Sequence, residues 1–148
     1  MTVSAPLVTI AIISYNNEAY IRDCIVSCLS QTYPNIEVVI ADDASTDLSP
    51  HIIREYVERY PQKVRAEFSD INAGVAANFN RAVKASKGTW FKIIACDDVL
   101  MPNCIELYMS EIAKHNIEAG ILFGRMMSFG DMPDTEEISF VPTFFNLT

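Results

Sequence analysis

Two short apolar runs in this chain each end in a pair of adjacent aspartates, and this pattern limits the folds that the chain can adopt. The first run leads into Asp42 and Asp43, and the second leads into Asp97 and Asp98. Runs this short and this rich in β-branched and aromatic residues are typical of buried strands. Because the carboxyl ends of parallel strands line the ligand crevice of an open α/β sheet, we expect both pairs to face one cleft. Neighbouring carboxylates repel one another unless a cation or ligand donors offset their charge, so the pattern predicts a divalent metal and a phosphorylated or amide-bearing ligand.

The rest of the chain alternates between apolar runs and amphipathic segments. The runs predict strands at residues 7–13, 36–41, 64–68, 90–96 and 120–127. Helical periodicity between the strands predicts crossover helices, and Ser49 is expected to cap the second helix just before Pro50. In the third helix Val75 is expected to share the buried side with Phe79, Ala82 and Val83. This order predicts the α/β class: a mostly parallel sheet with helices on both faces.

The chain has 148 residues, the size of one domain. We expect a single domain over residues 1–148, with a core at 7–129 and a loop and incomplete tail at 130–148. Phe140, Phe144 and other apolar residues of the tail have no following sequence to pack them, so the fold is expected to be truncated in mid-domain. Exposed apolar surface of this kind predicts a homo-oligomer contact through the tail.

The charge and the apolar content exclude several partners. The formal net charge is −8, which disfavours binding to nucleic acid or anionic lipid. No segment has the roughly 20 apolar residues of a membrane span, and the N-terminus lacks a secretion signal, which predicts a cytoplasmic protein. The cysteines lack the spacing of a zinc site and are expected to be reduced core thiols. His51 and His115 are expected at the surface.

Five short motifs follow one another in an order that resembles the nucleotide-sugar-binding, N-terminal portion of a family 2, GT-A type glycosyltransferase. They cover roughly residues 7–127 and lie at 14–16, 30–34, 39–47, 72–75 and 87–88, the last before the strand that reaches Asp97 and Asp98. The resemblance implies a GT-A, Rossmann-like fold and a nucleotide-diphosphate sugar as ligand, with a UDP-sugar favoured.

The resemblance also implies where a nucleotide would bind. Tyr15 would lie against the base and Asp43 would accept a hydrogen bond from a base imide, and the residues themselves agree, since carboxylates accept from N–H donors and aromatic rings stack on bases. For Asp42 a turn role is an equal alternative. Asn16, Asn17 and Glu18 would contact the nucleoside or cap the first helix. The remaining candidates for nucleotide binding are Ser14, Gly74, Asn78, Arg81 and Asp97, and a solvated position on the helix face is the alternative for Arg81.

Asp97 and Asp98 occupy the place of the family's metal-binding motif, which implies a Mn²⁺ or Mg²⁺ cofactor. Many members carry a further aspartate where this chain has Ala95, so either Asp97 or Asp98 could be the ligand. The resemblance implies inverting transfer to a glycan or lipid-linked acceptor in polysaccharide biosynthesis. The general base of the family lies later in the domain, beyond Thr148. The carboxylates near the C-terminus, Asp131, Asp134, Glu136 and Glu137, are expected to be solvated.

Two other readings stay open. The chain could be a non-catalytic nucleotide-binding fragment or interaction module, or a nucleotidyltransferase. The second is disfavoured because no glycine-rich basic loop follows the first strand. The sequence also lacks dinucleotide-binding and P-loop motifs.

Overall fold

The computed structural model describes residues 5–126 and 139–146, with side chains described within residues 5–120. The strands are β1 (Val8–Ser14), β2 (Ile36–Asp42), β3 (Val64–Phe68), β4 (Trp90–Ala95), β5 (Ile121–Met126) and β6 (Ser139–Asn146). The helices are α1 (Ile21–Leu29), α2 (Ser49–Arg59), α3 (Val75–Ala85) and α4 (Cys104–His115). The predicted alternation of strands and helices is therefore confirmed from β1 to β5.

The strands form one six-stranded sheet in the order β3-β2-β1-β4-β6-β5. β1 pairs in parallel with β2 and with β4, and β2 pairs in parallel with β3. The chain thus moves outward from β1 to β3 and then crosses back to β4 on the other side of β1. This reversal of direction opens a crevice at the carboxyl ends of β1 and β4, which is where α/β sheets bind ligands.

Helices cover both faces of the sheet, as predicted. On one face α1, α2 and α4 bury a large apolar cluster against β1, β2 and β4. On the other face α3 packs against a smaller cluster, in which Phe79 meets the fully buried Phe91 edge to face at 5.7 Å between ring centroids. Burial of each such large apolar side chain stabilises the fold by roughly 1.5–3 kcal/mol. The two clusters together fix the strand ends that carry the polar residues.

Two details of the helix starts differ from the sequence predictions. Ser49 is the first residue of α2 rather than its cap, and its hydroxyl accepts from the Asn17 N–H at 3.1 Å. The Asp47 carboxylate instead accepts from the Ser49 N–H at 2.9 Å. Val75 is 76% exposed and does not share the buried side of α3. Because Val75 begins the helix at the rim of the crevice, helical periodicity alone could not locate it.

The expectation that the tail has nothing to pack against is wrong for residues 139–146, which form β6. This strand runs antiparallel between β4 and β5, with Phe144 opposite Lys92 and Phe145 opposite Phe91. The physical reason is that β6 is placed by pairing with β5 and with the more distant β4, and local apolar patterning does not reveal such pairing. The predicted loop at 130–138 and its four carboxylates lie outside the described residues.

Among the residues that the structure describes, no helix is long and apolar enough to cross a membrane.

Candidate functional site

An open cleft of about 430 Å³ lies at the carboxyl ends of β1, β2 and β4. One aspartate of each acidic pair lines it, Asp43 after β2 and Asp97 after β4. The expectation that both pairs reach a single cleft is therefore met by one member of each pair. Further predicted site residues in the lining are Ser14, Tyr15, Asn17, Gly74 and Asn78, whereas the lining does not include Asn16, Glu18, Asp42, Arg81 or Asp98.

A second groove of about 470 Å³ lies on another part of the surface, between α4 and the segment before β1. Its lining is mainly apolar and includes Pro6, Met109 and Ile112. Burial raises the pKa of Tyr33 in this groove, and the Tyr33 hydroxyl donates to the Pro6 carbonyl at 2.7 Å. The two sites have similar volumes, but polar side chains from three strand ends converge on the cleft with the aspartates, which is therefore the candidate site.

Asp42 shapes the loop after β2 and does not line the cleft. Its carboxylate accepts from the Ser45 hydroxyl at 2.6 Å and from the Ser45 N–H at 3.0 Å. Aspartates commonly close turns in this way, and Ala44 between them has a positive φ of 62°. Of the two roles that the sequence left open for Asp42, the structure shows the turn role.

Asp43 holds the loop that precedes α3. Its carboxylate accepts from the Ala73 N–H at 3.1 Å and from the Gly74 N–H at 2.7 Å. The Arg81 guanidinium lies 3.6 Å from the same carboxylate, whose side chain is 4% exposed. The expected repulsion at the first pair is therefore offset within the protein, by two backbone donors and a guanidinium, and not only by a cation or by ligand donors.

The buried Asn78, which lines the cleft, and the partly exposed Arg81 form a polar pair on α3. The Asn78 amide donates to the Ala41 carbonyl at 2.8 Å and to the Ser14 carbonyl at 3.3 Å, which ties α3 to the ends of β2 and β1. Its oxygen accepts from Arg81 at 2.6 Å. Arg81 is therefore neither a solvated surface residue nor a lining residue, because its guanidinium points at Asp43 and Asn78.

Asn16 and Glu18 join the loop after β1 to the loop after β2. The Asn16 side-chain oxygen accepts from the Thr46 N–H at 2.8 Å. The Glu18 carboxylate accepts from the Leu48 N–H at 2.7 Å, at the start of α2. The sequence left open whether these residues contact a nucleoside or cap the first helix. The structure shows that Glu18 caps the second helix and that Asn16 braces the neighbouring loop.

Three lining residues leave groups available to a ligand. The Tyr15 side chain is 47% exposed beside the cleft, so its ring face is accessible. Ser14 is fully buried, and its hydroxyl has no hydrogen-bond partner among the described residues. Gly74 has a φ of 85° and a ψ of 167°, a backbone conformation that is essentially limited to glycine. The absence of a side chain at Gly74 keeps this part of the cleft open.

Asp97 and Asp98 lie in the turn that follows β4, where the Asp98 N–H donates to the Ala95 carbonyl at 3.1 Å. Asp97 is exposed in the cleft, and Asp98 is partly buried. Burial raises the pKa of Asp98, the adjacent Asp97 charge raises it further, and the Lys92 ammonium opposes the rise. The two carboxylates are therefore costly to keep ionised side by side, and a bound cation would relieve that cost.

The donor set of the turn fits a hard divalent cation. Mg²⁺ usually binds one or two carboxylates and completes its shell with phosphate oxygens and water. The described part of the chain contains no group of three or more His, Cys, Asp or Glu side chains arranged to hold an ion. Asp97 and Asp98 thus fit a metal that takes its other ligands from a bound phosphate and water, and they do not fit a closed site made only by protein.

Lys92 is a buried charge that the sequence analysis did not single out. It lies on β4, is 6% exposed, and faces Cys28 of α1, Cys104 of α4 and Asp98. Burial lowers the pKa of Lys92, and these three groups oppose the decrease. A lysine in the middle of an otherwise apolar strand that leads into an acidic pair is a sequence signal that could have identified Lys92.

Cys96 lines the cleft and was not predicted as a site residue, whereas Asn17, which the sequence assigned either to the nucleoside or to the first helix cap, also lines the cleft. The Asn17 amide donates to the Cys96 sulfur at 3.1 Å, which connects the loop after β1 to the end of β4. Cys24, Cys28 and Cys96 are buried free thiols, and Cys104 is half-buried. The hydrogen bond with Cys28 and burial raise the pKa of Cys24, so this thiol stays protonated at neutral pH. The strand-end position of Cys96, directly before Asp97, could have indicated its place in the cleft.

Comparison with known proteins places this geometry in a family. Residues 9–146 match the family model described as glycosyl transferase family 2. A chondroitin synthase from Escherichia coli is 38% identical over 110 residues, which are 74% of this chain and 16% of that protein. The chain spans less than half the length of the curated relatives it matches, for example 26% of a Mycobacterium tuberculosis protein.

Two solved structures have the same fold. Staphylococcus aureus TarS 1-349 in complex with UDP superposes with a TM-score of 0.76 at 24% identity, over 86% of this chain and 38% of that chain. The mannosyltransferase PcManGT from Pyrobaculum calidifontis, solved with GDP-Man and Mn²⁺, gives a TM-score of 0.60 at 29% identity, over 64% of this chain and 28% of that chain. With the GT-A, Rossmann-like sheet, the cleft at its switch point and the family match over most of its length, this chain belongs to glycosyl transferase family 2.

Proposed function

We propose that this chain is the donor-binding portion of a glycosyltransferase and binds a nucleotide-diphosphate sugar, with a UDP-sugar favoured, together with Mn²⁺ or Mg²⁺. The observation that carries the proposal is that Asp43 and Asp97, from the two acidic pairs, line one cleft at the switch point of the sheet. Ligands of α/β folds bind at this position. The GDP-Man and Mn²⁺ complex of PcManGT and the UDP complex of TarS support the same ligand class.

In this proposal the nucleoside lies between the ends of β1 and β2. The exposed Tyr15 ring stacks on the base, an interaction worth roughly 1–3 kcal/mol. Asp43 accepts from a base N–H with the lone pairs that Ala73 and Gly74 leave free, since a carboxylate has about four acceptor positions. The open backbone at Gly74 supplies a further contact to the nucleoside. The buried Ser14 hydroxyl, which has no partner within the described part of the chain, supplies another when the bound nucleoside reaches it.

The metal site in this proposal consists of Asp97 and Asp98. When bound, the cation would neutralise the charge that builds up on the departing nucleoside diphosphate. Asp97 is exposed in the cleft and would lie nearer the diphosphate. Asp98 is partly buried, and its backbone N–H closes the turn on the Ala95 carbonyl. Either carboxylate can contribute oxygen ligands.

We also propose that the complete reaction is an inverting transfer to a glycan or lipid-linked acceptor, as in polysaccharide biosynthesis. Such a transfer needs a general base within hydrogen-bond reach of the acceptor hydroxyl. Among the described residues the carboxylates of the cleft are Asp43 and Asp97, and Asp43 is held by internal partners. This observation favours a second candidate, in which the 148-residue chain alone binds the donor without transferring the sugar, either as a fragment or as an interaction module.

Calorimetry with the 148-residue chain tests the binding proposal. UDP, GDP and ADP are titrated with Mn²⁺, with Mg²⁺ and without metal. We expect binding that strengthens when metal is present, and the double variant Asp97→Ala, Asp98→Ala is expected to lose only the metal-dependent part. Asp23→Asn, on the exposed side of α1, is the control and should bind like the wild type. If none of the nucleotides binds under any metal condition, the proposal is wrong.

Turnover assays distinguish the catalytic from the non-catalytic candidate. The chain is incubated with UDP-sugars, Mn²⁺ and glycan acceptors, and released UDP is counted per chain. Multiple turnovers would show that a base is present and would rule out the non-catalytic candidate. Release of pyrophosphate from a nucleoside triphosphate and a sugar phosphate would instead indicate a nucleotidyltransferase. Sedimentation over a concentration series tests the homo-oligomer, which remains a prediction.

A further inference from the structure

The Arg81 guanidinium is occupied by groups of the protein itself. It donates to Asn78 Oδ1 at 2.6 Å and to Ser69 Oγ at 2.8 Å, and it lies 3.6 Å from Asp43 Oδ1. Its side chain is 24% exposed. Arginine presents its donors as a rigid planar fork, which suits it to hold several acceptors in fixed positions. Arg81 therefore serves as an internal clamp between α3, the end of β2 and the loop that joins β3 to α3.

That loop, residues 69–74, has few other attachments. The Ser69 N–H donates to the Asp42 carbonyl at 2.9 Å, and the Ala73 and Gly74 N–H groups donate to the Asp43 carboxylate. Residues 70–74 are exposed. Since Asn72 and Gly74 line the cleft, one wall of the cleft depends on where the Asp43 carboxylate is held.

We propose that Arg81 is a positioning residue for nucleotide binding, which fixes the Asp43 carboxylate and the 69–74 loop and acts through them without contacting the nucleotide. The inference rests on the proposed function of the cleft. Removal of one partner from a buried ion pair leaves the other charge uncompensated. Without Arg81, the Asp43 carboxylate would turn toward water, and the loop would lose the acceptor that orients Ala73 and Gly74.

A positioning role and a phosphate-binding role for Arg81 predict different effects on ligands that differ in their number of phosphates. A residue that contacts phosphate becomes more important as phosphates are added to the ligand. A residue that positions Asp43 and the loop affects the nucleoside part alone. The loss of affinity on removing Arg81 should therefore be the same for uridine, UMP and UDP.

The test uses Arg81→Met and Arg81→Lys in the 148-residue chain, with uridine, UMP and UDP titrated without metal and followed by NMR chemical shifts. We expect each ligand to bind about tenfold more weakly to Arg81→Met, because charge-assisted hydrogen bonds contribute on that scale. Arg81→Lys should recover only part of the affinity, because a single ammonium cannot hold all three partners. Arg59→Met, on the exposed last turn of α2, is the matched control and should bind like the wild type.

Two further measurements keep the inference falsifiable. In a double-mutant cycle Arg81→Met should add little to the loss caused by Asp43→Asn, since both changes break the same link. Amide hydrogen exchange at Ala73 and Gly74 should speed up in Arg81→Met whether or not ligand is present. A loss that grows from uridine to UDP, additive effects in the cycle, or unchanged exchange at both amides would each overturn the inference. If the wild type binds no nucleotide, both the proposed function and this inference are wrong. If the wild type binds nucleotide but any of these three results is obtained, only the inference about Arg81 is wrong.

Discussion

Glu18 and Asp47 tie the loop after β1 to the start of α2 through a hydrogen bond, and Glu18 makes a second one to Leu48. The Glu18 N–H donates to the Asp47 carboxylate at 2.9 Å, and the Glu18 carboxylate accepts from the Leu48 N–H at 2.7 Å. Glu18 thus binds both of the residues that directly precede α2. Because both loops border the cleft, this link sets the relation between the end of β1 and the loop that follows β2.

Asp47→Ala should destabilise the protein in a pH-dependent manner. Burial acts to raise the pKa of Asp47, but hydrogen bonds from Ser49 and Glu18 outweigh it and lower the pKa. A lowered folded pKa stabilises the protein above the unfolded pKa of about 3.9, and this contribution is lost as the pH falls through the folded pKa. We expect Tm at pH 7 to fall by about 2–4 °C, as for the loss of a helix cap. Calorimetric scans should show a lower Tm than that of the wild type at pH 7 and a smaller difference in Tm at pH 2.5. The control Asp23→Ala should have the Tm of the wild type at both pH values.

Gly74→Ala and Gly88→Ala should both destabilise the fold, for different reasons. At Gly74 an added Cβ meets no atom within 4 Å, but φ is 85°. The cost is backbone strain of about 1–3 kcal/mol. At Gly88 the Cβ would lie 2.5 Å from Thr9 N and 2.8 Å from the Trp90 carbonyl oxygen, so the backbone of two strands would have to move. Urea unfolding should show a moderate loss for Gly74→Ala and a much larger loss for Gly88→Ala. Equal losses would contradict this explanation.

Glu37→Ala should be among the more destabilising changes in the chain, although Glu37 is remote from the cleft. The carboxylate is 8% exposed and accepts from Thr9 Oγ1 at 2.5 Å, from the Lys87 N–H at 2.6 Å and from Arg65 at 2.9 Å. Removing it leaves the Thr9 hydroxyl and the Lys87 N–H without this acceptor and takes away the ion-pair partner of Arg65, whose guanidinium keeps the Ala85 carbonyl. The loss costs about 3 kcal/mol or more. Chemical denaturation measures the loss, and Glu58→Ala on the exposed side of α2 is the control with little effect.

Asp98→Asn should stabilise the metal-free protein while weakening metal-dependent binding. Because burial and Asp97 raise the pKa of Asp98 in the folded state, its ionisation costs stability above that pKa, and the cost disappears as the pH falls through it. The neutral side chain avoids the cost at pH 7, and after allowance for solvent screening we expect Tm to rise by about 1–3 °C. Scans at pH 7 and pH 3, without metal, should show that the gain is confined to the higher pH. A lower Tm at pH 7 would mean that Asp98 stabilises the turn as an anion.

The sequence was sufficient to predict the order of elements from β1 to β5, because each depends on local patterns. The β2 run ends at the first acidic pair and the β4 run ends just before the second, and parallel strands bring such ends to the same edge of the sheet. The positions of Asp43 and Asp97 in one cleft follow from these two facts. Local patterning did not predict β6, since its neighbours β4 and β5 are chosen by pairing across the sheet.

The sequence by itself determined the α/β class, the family and the edge of the sheet at which the polar residues gather, because apolar periodicity and strand ends are properties of the chain alone. Only the tertiary structure decided which member of each pair faces the cleft. In the folded chain Asp42 closes a turn with Ser45, and Glu18 accepts from the Leu48 N–H at the start of α2. Arg81 lies against Asp43. The roles of Glu18 and Asp43 depend on the direction of each side chain and on partners about 30 residues away, such as Leu48 for Glu18. The partner of Asp42 is local, because Ser45 lies in the same loop. Packing of the two helical layers against the sheet sets those directions, and no local pattern encodes them.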